Sequence, residues 1–179
     1  MDHRGRTVWR GFSPDGKQLF TGSYDQTVLR WSLRRPETAP VVFQGHTAAV
    51  TAVTCSPDGR HILTGGEDNT ARLWNAEGQL LLSLQQFDQN LSGMGAVLSV
   101  CFDSSGEKLA LGGTGGGAQI FDLEGHLLQQ INPSEKNLRS ISFADDGRFI
   151  LAAGDDGYAR LIYQAEGFLE TDLIAPFIQ

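Results

Sequence analysis

A glycine recurs along this chain at Gly16, Gly59, Gly106 and Gly147, with separations of 43, 47 and 41 residues. Self-similarity at a period of this length restricts a chain to an array of one supersecondary unit, because each unit buries its apolar faces only against its neighbours. Fifteen residues after each glycine stands a bulky apolar residue: Trp31, Trp74, Phe121 or Ile162. Four residues before it stands Phe12, Cys55, Phe102 or Phe143, so one gap-free frame fits four copies.

Each copy divides into short strands. Ser13-Pro14-Asp15-Gly16 and Ser56-Pro57-Asp58-Gly59 carry the residue order of a type I turn, in which proline presets φ at the second position. Asp103-Ser104-Ser105-Gly106 and Ala144-Asp145-Asp146-Gly147 keep the glycine and the polar character. A strand is predicted after each turn (QLFTG, HILTG, KLALG, RFILA), then a polar or glycine-rich turn, then a third strand (TVLRW, TARLW, GAQIF, YARLI). Weaker fourth strands are expected near residues 41–43, 79–84, 126–131 and 167–173. Val97 through Phe102 is apolar on both faces, as a sheet packed on both sides requires. Small residues at matching positions, Ala71, Ala118 and Ala159, are expected to let neighbouring sheets approach closely.

These residues resemble the WD40 repeat family, whose period is about 40–45 residues with four strands per blade of a β-propeller. The second copy carries Gly45-His46, then Ser-Pro-Asp-Gly, then Thr64-Gly65-Gly66-Glu67-Asp68, and ends at Trp74. The resemblance implies a buried hydrogen-bonded tetrad of His46, Thr64, Asp68 and Trp74. In the same frame the first copy supplies His3, Thr21, Asp25 and Trp31, with Asp2 in place of the usual glycine. Copy three has Gly93, Leu111, Gly115 and Phe121 at those positions, and copy four has Ser134, Ala152, Asp156 and Ile162. Both are expected to lack the network and to rely on packing. The fold implied is all-β: four antiparallel four-stranded blades over 3–44, 45–92, 93–133 and 134–173, with a short tail at 174–179. The chain starts on a first strand and ends on a fourth, without the overlap of termini that closes a ring. A partial or half propeller is therefore expected, with apolar faces left open on the first and last blades.

The chemistry-bearing residues have bland alternatives. His46, Thr64 and Asp68 are the residue types of a hydroxyl-based triad, but no oxyanion hole or cleft is signalled, and the tetrad accounts for all three. Gly112-Gly113-Thr114-Gly115-Gly116-Gly117 looks like a phosphate-cradling loop, yet a strand follows where such loops open a helix. A turn between strands is expected there, and another at Gly125-His126, which falls outside the frame. His3, His46, His61 and His126 show no metal-ligand spacing with each other or with Cys55 and Cys101, which are expected to be buried thiols. Tyr24, Glu67, Thr114 and Asp155 precede the aspartate position in each copy, and the resemblance implies that they point toward partners from the upper face. A loop residue on a rigid scaffold suits that role.

The apolar share of 40% and charged share of 20% are those of a globular protein. No apolar run reaches eighteen residues, so no membrane span is expected, and the charged start Met-Asp-His-Arg-Gly-Arg is not that of a secretory signal. A net charge of -7 weighs against nucleic acid and anionic membranes. The expectation is a cytoplasmic, non-catalytic scaffold or adaptor that binds other proteins, with no metal or cofactor; the four blades are read as a fragment of a longer propeller or as a half that completes a ring by self-association, with a closed four-blade ring as the remaining alternative. The alternatives are an architectural or sensor part of a larger protein whose catalytic or signalling domain lies elsewhere, and an enzyme with its site in the propeller funnel.

Overall fold

A computed structural model describes residues 3–85 and 95–163, together with the backbone of 171–174. The first sheet is β1 (Thr7–Phe12), β2 (Gln18–Ser23), β3 (Thr27–Ser32) and β4 (Val41–Gln44). The second is β5 (Val50–Cys55), β6 (His61–Gly66), β7 (Thr70–Asn75) and β8 (Leu80–Gln85). The third is β9 (Val97–Phe102), β10 (Lys108–Gly113), β11 (Ala118–Asp122) and β12 (Leu127–Ile131). The fourth is β13 (Leu138–Phe143), β14 (Phe149–Gly154), β15 (Ala159–Tyr163) and β16 (Thr171–Ile174). Each is an antiparallel meander in chain order. The second and third strands expected in each copy fall where the repeat places them. Of the fourth strand expected at 167–173, residues 167–170 lie outside the described residues, as do Asp2, Gly93 and the tail beyond Ile174.

The turns that set this register follow from the sequence. Gly59 takes φ 76, the left-handed region that only glycine enters without penalty. The Gly59 N–H donates to Ser56 O at 2.9 Å, and Ser56 Oγ donates to Asp58 Oδ1 at 2.6 Å. In copy three Asp103 takes the serine's place, accepting the Lys108 N–H at 3.0 Å.

The sheets stack in chain order, first strand beside first strand. Phe20, Val28 and Phe43 of the first sheet meet Val53, Ile62 and Trp74 of the second. Leu63 and Leu73 meet Val97, Leu109 and Leu111; Ala110 and Ile120 meet Leu138, Ile150 and Ile162. The approach is close enough to exclude a side chain at two positions. A Cβ on Gly22 would stand 2.9 Å from Val50 Cγ1, and one on Gly65 would stand 2.7 Å from Val97 Cγ1. Ala71 and Ala118 are fully buried at these interfaces. Ala159 departs from that expectation: it is half-buried on the outer face of the fourth sheet, where no described sheet follows.

The four sheets do not close into a ring. Their outer faces are more polar than expected. On the first sheet Thr7 and Arg10 are exposed at the positions that hold buried Val50/Val53, Val97/Val100 and Leu138/Ile141 in the other three. On the fourth, Ser140 is exposed and Ser142 half-buried. Among the described residues, the exposed large apolar side chains on these two faces include Phe12 (64% exposed), Leu151 (41%) and Tyr163 (37%).

Candidate functional site

The turn after β6 and the segment before β5 bring His46, Thr64, Asp68 and Trp74 into one chain of hydrogen bonds. Trp74 Nε1 donates to Thr64 Oγ1 at 2.9 Å, and Thr64 Oγ1 lies 2.7 Å from His46 Nε2. His46 Nδ1 lies 2.9 Å from Asp68 Oδ2. With a neutral imidazole every group is satisfied in one polarity: the hydroxyl, which accepts from the indole, donates to Nε2, and Nδ1–H donates to the carboxylate. Burial, with Arg72 nearby, lowers the His46 pKa against the opposing pull of Asp68, and so favours the neutral imidazole that this polarity needs. Burial works to raise the pKa of Asp68, yet the Thr47 N–H, the Thr70 hydroxyl and His46 together hold it below the usual carboxylate range.

The first sheet repeats the arrangement. Trp31 Nε1 donates to Thr21 Oγ1 at 2.9 Å, Thr21 Oγ1 lies 2.8 Å from His3 Nε2, and His3 Nδ1 lies 3.1 Å from Asp25 Oδ2. Burial opposes ionisation of Asp25, but the Thr27 hydroxyl, the Arg4 N–H and the Thr27 N–H bring its pKa down to about 2. The threonine two residues after each aspartate is a fifth member: Thr27 Oγ1 donates to Asp25 at 2.6 Å and Thr70 Oγ1 to Asp68 at 2.7 Å. An Asp-X-Thr spacing in both copies is the signal that marks it.

In copy three, Leu111 and Phe121 are buried and apolar, so these two positions contribute packing. Copy four corrects the expectation that it depends on packing. Ser134 Oγ donates to Asp156 Oδ2 at 2.8 Å, Arg160 donates to the same oxygen at 2.6 Å, and the Tyr158 N–H donates to Oδ1 at 3.1 Å. A serine is too short to bridge to the position that Thr64 occupies in copy two, where copy four has Ala152. An arginine four residues after the aspartate supplies the missing donor.

None of this resembles an open catalytic centre. Thr64 is fully buried, with its oxygen engaged on both sides. Cys55 and Cys101 are half-buried rather than fully buried, and burial pushes their thiols up to about 11 and about 12, away from the nucleophilic thiolate. The glycine-rich segment at 112–117 enters a turn before β11. There a Cβ on Gly116 would stand 2.0 Å from Ser134 O, so the glycine admits the next sheet's backbone. Asp122, Glu124 and His126 bring donor atoms within 4.8 Å of one another in the β11–β12 turn, where His126 Nδ1 is already 2.8 Å from Asp122 Oδ2.

Tyr24, Glu67, Thr114 and Asp155 all lie in the turn between a second and a third strand, at one end of the four sheets. Each donates its backbone N–H to the carbonyl of an equivalent residue: Arg6 (3.0 Å), Ala49 (2.9 Å), Ala96 (3.0 Å) and Asn137 (2.9 Å). The same bond therefore sets all four at one level. Tyr24 is 50% exposed, and Glu67 and Asp155 are exposed. Asp155 is gripped by Arg139, whose Nε and NH2 donate to its two oxygens at 2.8 and 2.7 Å. Thr114 departs from the expected outward role: it is half-buried, and its hydroxyl is removed from solvent with no partner among the described residues.

A sheet array of this kind, with a repeated His–Asp, Thr–His and Trp–Thr network, defines a class of β-propeller repeat protein. The chain belongs to the WD repeat family (WD domain, G-beta repeat), whose sequence model matches residues 2–32, 38–75 and 117–162. It is similar to WD repeat-containing protein 86 of Homo sapiens, 44% identical over 50 residues; that stretch is 28% of this chain and 13% of the relative. Members of this family generally mediate protein–protein interaction and are generally not catalytic.

Proposed function

We propose that this chain is a non-catalytic scaffold that holds other proteins against the level end formed by its β2–β3-type turns. The observation that carries this reading is the common backbone anchor of Tyr24, Glu67 and Asp155. It presents an aromatic and two acidic side chains from a rigid framework at one height. Tyrosine is favoured among residues that dominate interface energy, and rigid elements place contacts at low entropic cost. The setting proposed is the cytoplasm, where Cys55 and Cys101 stay reduced. Affinity capture from cell extract tests the reading, comparing the wild-type chain with a Tyr24→Ala/Glu67→Ala variant of unchanged melting temperature. A partner retained by the first and lost by the second supports it; equal capture by both contradicts it.

A second reading, that two copies associate to cover each other's end sheets, is favoured by the exposure of Phe12 and Leu151 on the two outer faces. Light scattering over a tenfold concentration range distinguishes a dimer, as this reading expects, from a monomer, which excludes it.

A further inference from the structure

At the opposite end of the first sheet's strands lies a cleft of about 290 Å³, lined by Lys17, Arg30, Ser32, Arg34, Thr38 and Val41 among others. The repeat itself supplies the control against which this cleft is unusual. Arg30 pairs across the sheet with Phe20, as Leu73 pairs with Leu63, Ile120 with Ala110 and Leu161 with Leu151. Leu73 and Ile120 are buried at that position and Leu161 is half-buried, whereas the first sheet sets a half-buried arginine there. Arg34 stands where the second and third copies have Glu77 and Glu124. The connection from β3 to β4 spans 33–40, against 76–79 and 123–126 in the next two sheets, and its extra length supplies the wall at Thr38. That wall is ordered by the Thr38 N–H and Oγ1, which donate to Arg35 O at 3.0 and 2.8 Å.

A half-buried guanidinium in place of a leucine weakens apolar packing unless something compensates it. Among the described residues neither Arg30 nor Arg34 has an ion-pair partner. Lys17 is held by Asp15 at 2.6 Å, so the cleft carries two uncompensated guanidinium groups and one ammonium shared with a rim carboxylate. Glu37 lies in the same connection and forms no ion pair within the described residues. In a chain of net charge -7 this convergence runs against the overall composition. Planar guanidinium groups match the oxygens of a phosphoryl group, with hydroxyl and amide groups such as Ser32 and Gln18 at hand for the remaining oxygens.

We propose that this cleft is a phosphoryl-binding site, and that its ligand is a phosphoserine or phosphothreonine side chain on a segment of a partner protein. The identity of the carrier rests on the protein-binding reading above; the site itself does not, since it lies at the far end of the strands from Tyr24 and Glu67. The ¹⁵N-labelled full chain is titrated with inorganic phosphate, N-acetyl-phosphoserine amide, N-acetyl-serine amide, and phosphatidylcholine vesicles doped with a phosphatidylinositol phosphate. Expected are saturable shifts at Arg30, Ser32 and Thr38 with the two soluble phosphates, none with the unphosphorylated amide, and no response to the vesicles. Arg30→Leu and Arg34→Glu, which copy residues the second blade already holds, each weaken binding roughly tenfold, the value of one charge-assisted hydrogen bond. Tyr24→Ala/Glu67→Ala leaves it unchanged. The proposal is overturned by any of three results: no shifts with the soluble phosphates, shifts that persist undiminished in folded Arg30→Leu and Arg34→Glu, or a response to the vesicles alone. Failure here with partner capture at Tyr24 and Glu67 intact removes the site and leaves the scaffold reading standing.

Discussion

His46 Nδ1 lies 2.9 Å from the carboxylate of Asp68, and both side chains are almost wholly shielded from solvent. Their contact closes a polar chain that begins at the Trp74 indole, so no member can be removed without stranding a neighbour. Replacing Thr64 with valine strands the Trp74 N–H and leaves His46 Nε2 without its donor. The expected loss is about 2–3 kcal/mol, read as a shift of the denaturant midpoint. Substituting all four members by the residues of copy three (His46→Gly, Thr64→Leu, Asp68→Gly, Trp74→Phe) costs less than the sum of the four single changes, because the bonds among the four are then lost once and only the donors from Thr47 and Thr70 to Asp68 are left without an acceptor.

Acid acts on these networks in two windows. The folded state holds His46 below its ordinary pKa, so the unfolded chain takes up a proton first. Stability is full above about pH 6.5 and falls as pH drops through the depressed folded value. Asp25, lowered to about 2, stabilises the fold above the ordinary aspartate range near pH 4, and that contribution disappears as pH falls toward 2. Unfolding free energies measured from pH 8 to pH 4 decline for the wild type, and the decline between pH 7 and 5 is shallower in His46→Gln.

The fourth blade's network is tested by Ser134→Ala and Arg160→Leu. Both donate to Asp156 Oδ2 from sites largely shielded from solvent. Each change is expected to cost about 1–2 kcal/mol. Because they share one oxygen, a double-mutant cycle returns a coupling of at least about 0.5 kcal/mol, whereas a blade held by packing alone returns none.

Gln26 and Asn69 occupy the left-handed region, at φ 72 and 64, in the turn position that the third and fourth copies give to Gly116 and Gly157. Relief of that strain outweighs the extra chain entropy of glycine, so Gln26→Gly raises stability by about 0.5–1 kcal/mol. Gly116→Ala acts oppositely and more strongly, by at least about 2 kcal/mol, since its Cβ meets the carbonyl of Ser134. Thermal melts of the two variants therefore move in opposite directions.

Much of the array was legible because spacing survives divergence. The 15-residue interval from turn glycine to bulky apolar residue persists in copy four even after Trp has become Ile162. The tetrad residues were legible where the full residue set remained. The Ser134–Asp156–Arg160 network was not, because its arginine acts from four residues beyond the aspartate and only the folded turn brings the two together. Thr114 was misjudged because equivalent backbone position does not fix side-chain direction: its hydroxyl folds inward over Gly95. The outer face of the first sheet was misjudged because Thr7 and Arg10 replace the valines of the second and third copies without disturbing strand periodicity. The frame itself held the signs of the cleft, as Arg30 among leucines and isoleucine and a β3–β4 connection longer than in the next two copies.

The scaffold reading is tested most directly by a photo-crosslinking residue placed at position 24 or 67, with position 81 on an outer strand as the comparison. After irradiation in cell extract, discrete protein adducts at 24 and 67, absent or much weaker at 81, are the expected result. Adducts at 81 alone, or none at the two turn positions in a chain shown to be folded, would contradict it.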